Sequence, residues 1–393
     1  MVTPQFYAWA VFMGIMMTVM SPVVSASPPQ AVFQPFKPID RQSGVALKPA
    51  RVVLPQWQFK PGFYNAITDV PGVAVGHTTL QADTPQPIRT GVTAIFPQKA
   101  NMANTAYAAS ATVLNGNGEM TGLGPVMKDG VLNSPIVLTN TFAVSDGIEG
   151  VFRYFQGQQW LGQLPVVGEC YDGFFNTIED LDAVRPEHVT AALQAAHGGW
   201  VPQGRVGAGT GMRSFGMHAG IGSASRQLVV DGKTYTIGVL VNANHGRLPQ
   251  MNPQVRQALA ERLGPLDVVA AEDARDARNQ SAQPTPQLPR QGSIITVIAT
   301  DLPLNATALK KLSERAALGL GNMGSTQDPS SGDFALAFST ANPFPVPPQQ
   351  PFIPQNTLHP DLLAPVCRAT VEAVTEAQIN ALLAAHPPQG VRN

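Results

Sequence analysis

The sequence predicts an α+β fold, a mixed sheet covered by helices. Three observations carry that expectation. Short apolar runs rich in β-branched residues recur between glycines, which suits buried strands better than helices. Stretches of helical period lie between those runs. Val229-Val230-Asp231-Gly232-Lys233-Thr234-Tyr235 is a hairpin signal, because Asp-Gly supplies the positive φ angles of a tight primed turn, so part of the sheet is antiparallel. The 393 residues suffice for one large domain or two modest ones. Only 13% of them are charged and the net charge is −1, so nothing points to a basic, nucleic-acid-binding face.

From the start of the chain, residues 6–20 form an apolar run, and Val24-Ser25-Ala26 follows as a small-residue cleavage pattern. Together they read as a secretory signal peptide removed after about Ala26, and hence as a periplasmic or secreted protein. Residues 1–5 hold no Lys or Arg, and an uncleaved membrane anchor is the alternative, for which the run is short. Residues 27–60 carry prolines and scattered aromatics without a period and read as an extended arm. The expected strands are Val73–Gly76, Gly91–Phe96, Ile136–Asn140, Leu164–Val167, Thr234–Val241 and Ile294–Thr300. Helices are expected at about 144–163, 187–197, 253–263 and 305–320, the last capped by Asn305 with Leu309, Leu312 and Ala316 on one face. Residues 275–291, rich in Gln, Arg, Ala, Pro and Ser, read as an exposed, mobile linker. A proline-rich loop from Asn342 to Pro360 precedes a final helix.

Gly292-Ser293 stands where that linker meets the strand Ile294–Thr300. Scission between the two would leave Ser293 with a hydroxyl and an α-amine on one residue, a nucleophile and its base. Glycine before the serine lets the backbone take the distorted geometry that attack on its carbonyl needs. An α-amine, with a pKa near ~7.7–8.0, is partly neutral at physiological pH. An ordinary turn into a buried strand explains the same dipeptide. Ser331 and Asp333, two residues apart, can face one side of an extended chain, so that Ser331 relays a proton and Asp333 orients it; a capped turn is the other reading. Asn244 ends an apolar strand, where its amide can donate to a developing oxyanion or merely form an asparagine turn.

Gly207-Ala208-Gly209-Thr210-Gly211 invites a nucleotide-binding reading, with Asp231 downstream, but the glycines continue where a helix should open and Asp231 belongs to a hairpin. A sharply bent strand or loop packed against another backbone explains them as well. The seven histidines are dispersed without zinc spacing, so no metal site is expected, and no Gly-x-Ser-x-Gly elbow is present. Cys170 and Cys367 are too few for a disulfide framework and read as buried thiols, with a single bridge between them left open.

Several ordered segments carry a resemblance. They are Asn65 through His77, Asn115-Gly116-Asn117-Gly118-Glu119, Ser134 through Thr141, Val166 through Gly173, the glycine-rich segment from Gly204, and the Gly292-Ser293 and Ser331-Gly332-Asp333 stretches. Over roughly residues 60–345 the chain resembles the DmpA-type L-aminopeptidase/D-esterase-amidase family, which includes the β-peptidyl aminopeptidases. The resemblance implies an αββα sandwich of the N-terminal-nucleophile type, made as a precursor that cleaves itself before Ser293. By that analogy residues 61–292 and 293–393 become the larger and smaller chains of one catalytic domain, and tetramers of such heterodimers are implied. Ser293 is then the nucleophile, Ser331 and Asp333 assist it, Asn244 helps to form the oxyanion hole, and Glu169 and Tyr171 bind the substrate amine or its amide. No cofactor is implied, and the substrates are small peptides, amides or esters. The family's acidic position can be Glu, so the shorter Asp333 puts the relay distance in question. Cys170 also departs from the small residue expected there, with specificity as the property it would alter. The ornithine acetyltransferases, which also self-cleave, are the alternative, although they use threonine at the cut.

Overall fold

The computed structural model describes residues 52, 54, 56–83, 87–160, 162, 164–173, 175–176, 183–266 and 292–386. The expected signal segment, most of the arm and the 275–291 linker lie outside them. Among the described residues the strands are β1 (Ala74–Ala82), β2 (Ile88–Phe96), β3 (Thr105–Gly116), β4 (Val131–Leu132), β5 (Ile136–Asn140), β6 (Val166–Cys170), β7 (Arg213–Ser214), β8 (Met217–His218), β9 (Gly220–Val230), β10 (Lys233–Asn244), β11 (Ser293–Thr300) and β12 (Gly332–Pro345). The described α-helices are α1 (Leu123–Asp129), α2 (Val144–Tyr154), α3 (Pro186–Ala195), α4 (Pro253–Leu263), α5 (Ala306–Glu314), α6 (Ala316–Met323) and α7 (Leu363–Ala385).

One sheet has four strands in the order β1-β2-β5-β6, and the other has six in the order β4-β3-β12-β11-β10-β9. Both are mixed: β5 pairs parallel with β6 and β11 with β12, while the remaining pairs in these two sheets are antiparallel. Three apolar cores define the layering. Between the sheets, Ile95, Ile136, Leu138 and Val166 meet Leu240, Ile295, Val297, Leu336 and Phe338. Behind the larger sheet, Val239, Val241, Ile294, Ile298 and Ala337 pack on Leu309 and Leu312 of α5, Leu320 of α6 and Val374 and Ala377 of α7. Behind the smaller sheet, Val92, Ala94, Val137 and Val167 pack on Val151 of α2 and Val189 and Leu193 of α3. The order of layers is therefore helix, sheet, sheet, helix. Strand alternation explains the partition on β11, whose Ile294 and Ile298 face the helices while Ile295 and Val297 face the other sheet.

The Asp231-Gly232 hairpin forms with φ of 50° and 72° at its two turn residues, joining Val230 to Lys233 across β9 and β10. Asn305 caps α5 by accepting from the Ala308 amide at 2.9 Å. The expected 305–320 helix is two helices, divided at Arg315 and closed by Gly324 at φ 99°. α2 stops at Tyr154 rather than 163, where the chain turns through Gly157 at φ 80° and Trp160 stacks back on Phe155, ring centroids 4.6 Å apart. The strand β3 and helix α1 were not expected. The middle of β3 is Ala106, Ala108, Ala109, Ser110 and Ala111 around Tyr107, with its β-branched Thr105, Thr112 and Val113 on either side, too little β-branched character in its centre to register as a strand.

Candidate active site

Ser293 is the first residue of β11 and is held by ladders on both sides, opposite Asn244 of β10 and Gly332 of β12. It is 3% exposed. Its Oγ accepts a hydrogen bond from the Tyr171 amide at 3.3 Å. The Asn244 amide nitrogen donates to the Tyr171 carbonyl at 2.7 Å, and its oxygen accepts from the Arg213 amide at 2.9 Å. One main-chain unit after β6 thus fixes both the serine hydroxyl and the asparagine amide.

The junction before the serine is equally constrained. The Gly292 carbonyl accepts from the Gly332 amide at 3.3 Å. A Cβ at position 292 would fall on the Asn244 carbonyl oxygen and 3.2 Å from the Asn244 side-chain nitrogen. Only glycine fits, and the Asn244 amide lies against it.

On the neighbouring strand, Ser331 Oγ donates to Asp333 Oδ1 at 2.6 Å, so the shorter aspartate reaches its serine. Both are buried, and Asp333 Oδ2 has no hydrogen-bond partner among the described residues. Burial raises the Asp333 pKa to about 6, against the lowering effect of the Ser331 hydroxyl and the Ile294 amide. Glu169 on β6 accepts from the Glu119 amide at 3.1 Å and from the Thr141 hydroxyl. Its carboxyl is also raised, chiefly by burial, with Thr141 and the Glu119 amide acting in the opposite sense. Tyr171 contributes main-chain contacts to the site, while its ring packs edge-on against Phe142, 6.3 Å away. Cys170 is fully buried, its thiol directed to the Asn242 carbonyl at 3.6 Å, and burial pushes its pKa far up, so it is an inert neighbour of Ser293. Cys367 is only partly buried, and both thiols are free.

The glycine-rich segment does not form a nucleotide loop. Gly207–Gly209 is a 3-10 turn followed by β7, β8 and β9 rather than by a helix, and a Cβ at Gly209 would collide with the backbone of Ile221 and Gly204. Among the described residues no cluster of three or more His, Cys, Asp or Glu could hold a metal ion. Two contributors escaped sequence reasoning as individual residues: Thr141, which donates to Glu169, and Asn117, which donates to Ser330. Each lay in a segment singled out above, but its partner is distant in sequence.

The model of peptidase family S58 matches residues 65–393. The chain belongs to peptidase family S58. The β-peptidyl aminopeptidase BapA of Sphingosinicella microcystinivorans is 39% identical over 340 residues, 84% of this chain and 84% of that protein. The solved L-aminopeptidase D-Ala-esterase/amidase of Ochrobactrum anthropi, described as a prototype serine aminopeptidase and a variant of the Ntn hydrolase fold, superposes with a TM-score of 0.70 at 35% identity. That superposition covers 84% of this chain and 88% of the other. A Burkholderia sp. β-aminopeptidase gives the same score and identity over 84% and 89%. As a member of S58 the chain is a serine hydrolase of the aminopeptidase type, built on the αββα sandwich.

Proposed function

We propose that the chain cleaves its own Gly292–Ser293 bond and that Ser293, now an N-terminus, releases N-terminal residues from small peptides, amides or esters. The observation that carries this is the junction itself. A carbonyl held by the Gly332 amide precedes a serine whose hydroxyl is held by the Tyr171 amide, with no room for a side chain at position 292. In self-cleavage Ser293 Oγ bonds to the Gly292 carbonyl carbon, the C–N bond breaks, and the hydroxyl proton ends on the freed nitrogen. Water then hydrolyses the ester, leaving a carboxylate on Gly292 and a free serine hydroxyl.

In turnover the neutral α-amine takes the Oγ proton as the hydroxyl attacks the substrate carbonyl. Asn244 donates to the oxyanion, Ser331 and Asp333 pass the proton to the departing amine, and water releases the acyl group. Glu169, with Tyr171 beside it, receives the substrate's free ammonium. The pairing of an amine-binding carboxylate with the names borne by the relatives makes peptides with an N-terminal β-residue the first substrates to test. Ser293→Ala should remain a single full-length polypeptide without peptidase activity, and efficient processing of that variant would remove Ser293 from the scheme. The two fragments are proposed to remain associated as a homotetramer of heterodimers, and segment 1–26 to be removed on export to the periplasm or beyond. Light scattering and N-terminal sequencing of the larger fragment check these two points.

A further inference from the structure

The segment Asn115-Gly116-Asn117-Gly118-Glu119 at the end of β3 touches both halves of the site. Toward the smaller sheet, the Glu119 amide donates to Glu169 Oε1 at 3.1 Å and the Glu119 carbonyl accepts from the Glu169 amide at 3.1 Å. Gly118 must lack a side chain there, since a Cβ would stand 2.8 Å from Glu169 Oε1 and 3.2 Å from the Gly332 Cα. Toward the larger sheet, Asn117 Nδ2 donates to the Ser330 carbonyl at 2.6 Å, and the Asn117 amide donates to the Ser331 carbonyl at 3.3 Å. The Asn115 side-chain amide donates to the Asp328 carbonyl. The register of β12 against β3 slips between Asp333 and Phe334, which leaves only the Gly332–Gly116 and Asp333–Asn115 pairs on the Ser331 side of the slip; the two asparagine amides extend this short pairing to Ser330 and Asp328.

From this geometry we infer that Asn117 is the positioning residue of the Ser331 hydroxyl, with Asn115 supporting the same turn. Asn117 touches neither substrate nor nucleophile; it sets where the Ser331 main chain runs, and hence where Ser331 Oγ meets Asp333. The inference rests on the proposed role of Ser331 in proton transfer. The side chain of Asn117 is exposed, so its truncation removes a hydrogen bond without opening a cavity in the core.

The test is a double-mutant cycle on steady-state hydrolysis of an aminoacyl amide, with processing checked by denaturing gel. Asn117→Ala should lower kcat by about 10- to 100-fold, the cost of misplacing a reacting group, with KM within about twofold. Asn117→Asp, isosteric but unable to donate to the Ser330 carbonyl, should behave alike. In a Ser331→Ala background, Asn117→Ala should have no further effect. Full additivity of the two losses, an unchanged kcat in Asn117→Ala, or a rise in KM alone would overturn the inference. If Ser331→Ala by itself is as active as the parent enzyme, the role of Ser331 fails instead, and the two failures are told apart within one set of four proteins.

Discussion

The two sheets differ in how they hold the groups they bring to the site. On the larger sheet Ser293 opens β11, an interior strand paired on both sides, and Asn244, Ser331 and Asp333 sit at or beside the ends of its neighbours. On the smaller sheet Glu169 lies on β6, an edge strand. That edge is closed by the chain at 119–121, through the Glu169 amide on the Glu119 carbonyl at 3.1 Å and the Thr121 amide on the Val167 carbonyl at 2.9 Å. The groups proposed to make and break bonds therefore rest on a frame locked by two ladders, while the carboxylate proposed to bind the amine rests on one ladder and a covering loop. The contrast assigns kcat to the larger sheet and KM to the smaller.

The sharpest way to break that division is at Asn244. Asn244→Ala should lower kcat by about 10²- to 10³-fold, the usual cost of losing an oxyanion donor, with little change in KM. A variant that altered KM alone would move Asn244 to recognition. Next in size, Glu169→Gln keeps the shape and the acceptor for the Glu119 amide, can donate to Thr141 in place of accepting from it, and loses the charge. KM for a substrate with a free amine should rise about 10- to 100-fold, as for a lost charged hydrogen bond, with kcat nearly constant. An equal fall in kcat would erase the distinction between the sheets.

Two buried acids sharpen the comparison through pH. In the proposed relay Asp333 works as the carboxylate that orients the Ser331 proton, and its pKa is raised to about 6, so kcat/KM should fall as pH drops through that value. The α-amine of Ser293 must also lose a proton, so below about pH 6 the logarithm of kcat/KM should fall with a slope approaching 2. Asp333→Asn should leave a slope of about 1 on a lower rate, and an unaltered slope would exclude Asp333 from the acid limb. Asp172, which follows Tyr171 in the loop after β6, is fully buried, and burial raises its pKa to about 7 against the side chains of Thr90, Asn140 and Asn176. A carboxyl raised on folding is favourable protonated, so its ionisation costs stability as pH climbs from the unfolded value of 3.8 to about 7, and the cost is constant above. Asp172→Asn removes that cost. Its unfolding temperature should gain on the parent across that interval while kcat changes least of all; a difference independent of pH would contradict the burial argument.

Much of the frame was legible because its signals are local. Asp231-Gly232 specifies its own turn, Asn305 its own cap, and residues 253–263 their own helix, bounded by the Asn252 cap and Gly264. The divided helix at Arg315 and the alanine-rich β3 were not legible, since packing against α7 and β12 decides them rather than propensity. Of the residues in the proposed site, Ser293, Ser331, Asp333 and Asn244 could be put forward from side-chain chemistry. The part played by Tyr171 could not, because it works through its main-chain N–H and C=O, which every residue possesses. Asn117 was hidden for a related reason: its partner Ser330 lies 213 residues away.

The central claim is that the nucleophile acquires its own chain end. Intact-mass measurement of catalytically active protein tests it most directly, since the scission adds one water and divides the chain in two. A smaller fragment spanning residues 293–393, with Ser-Ile-Ile-Thr-Val at its start, is the expected result. Full activity from a polypeptide unbroken between Gly292 and Ser293 would contradict it.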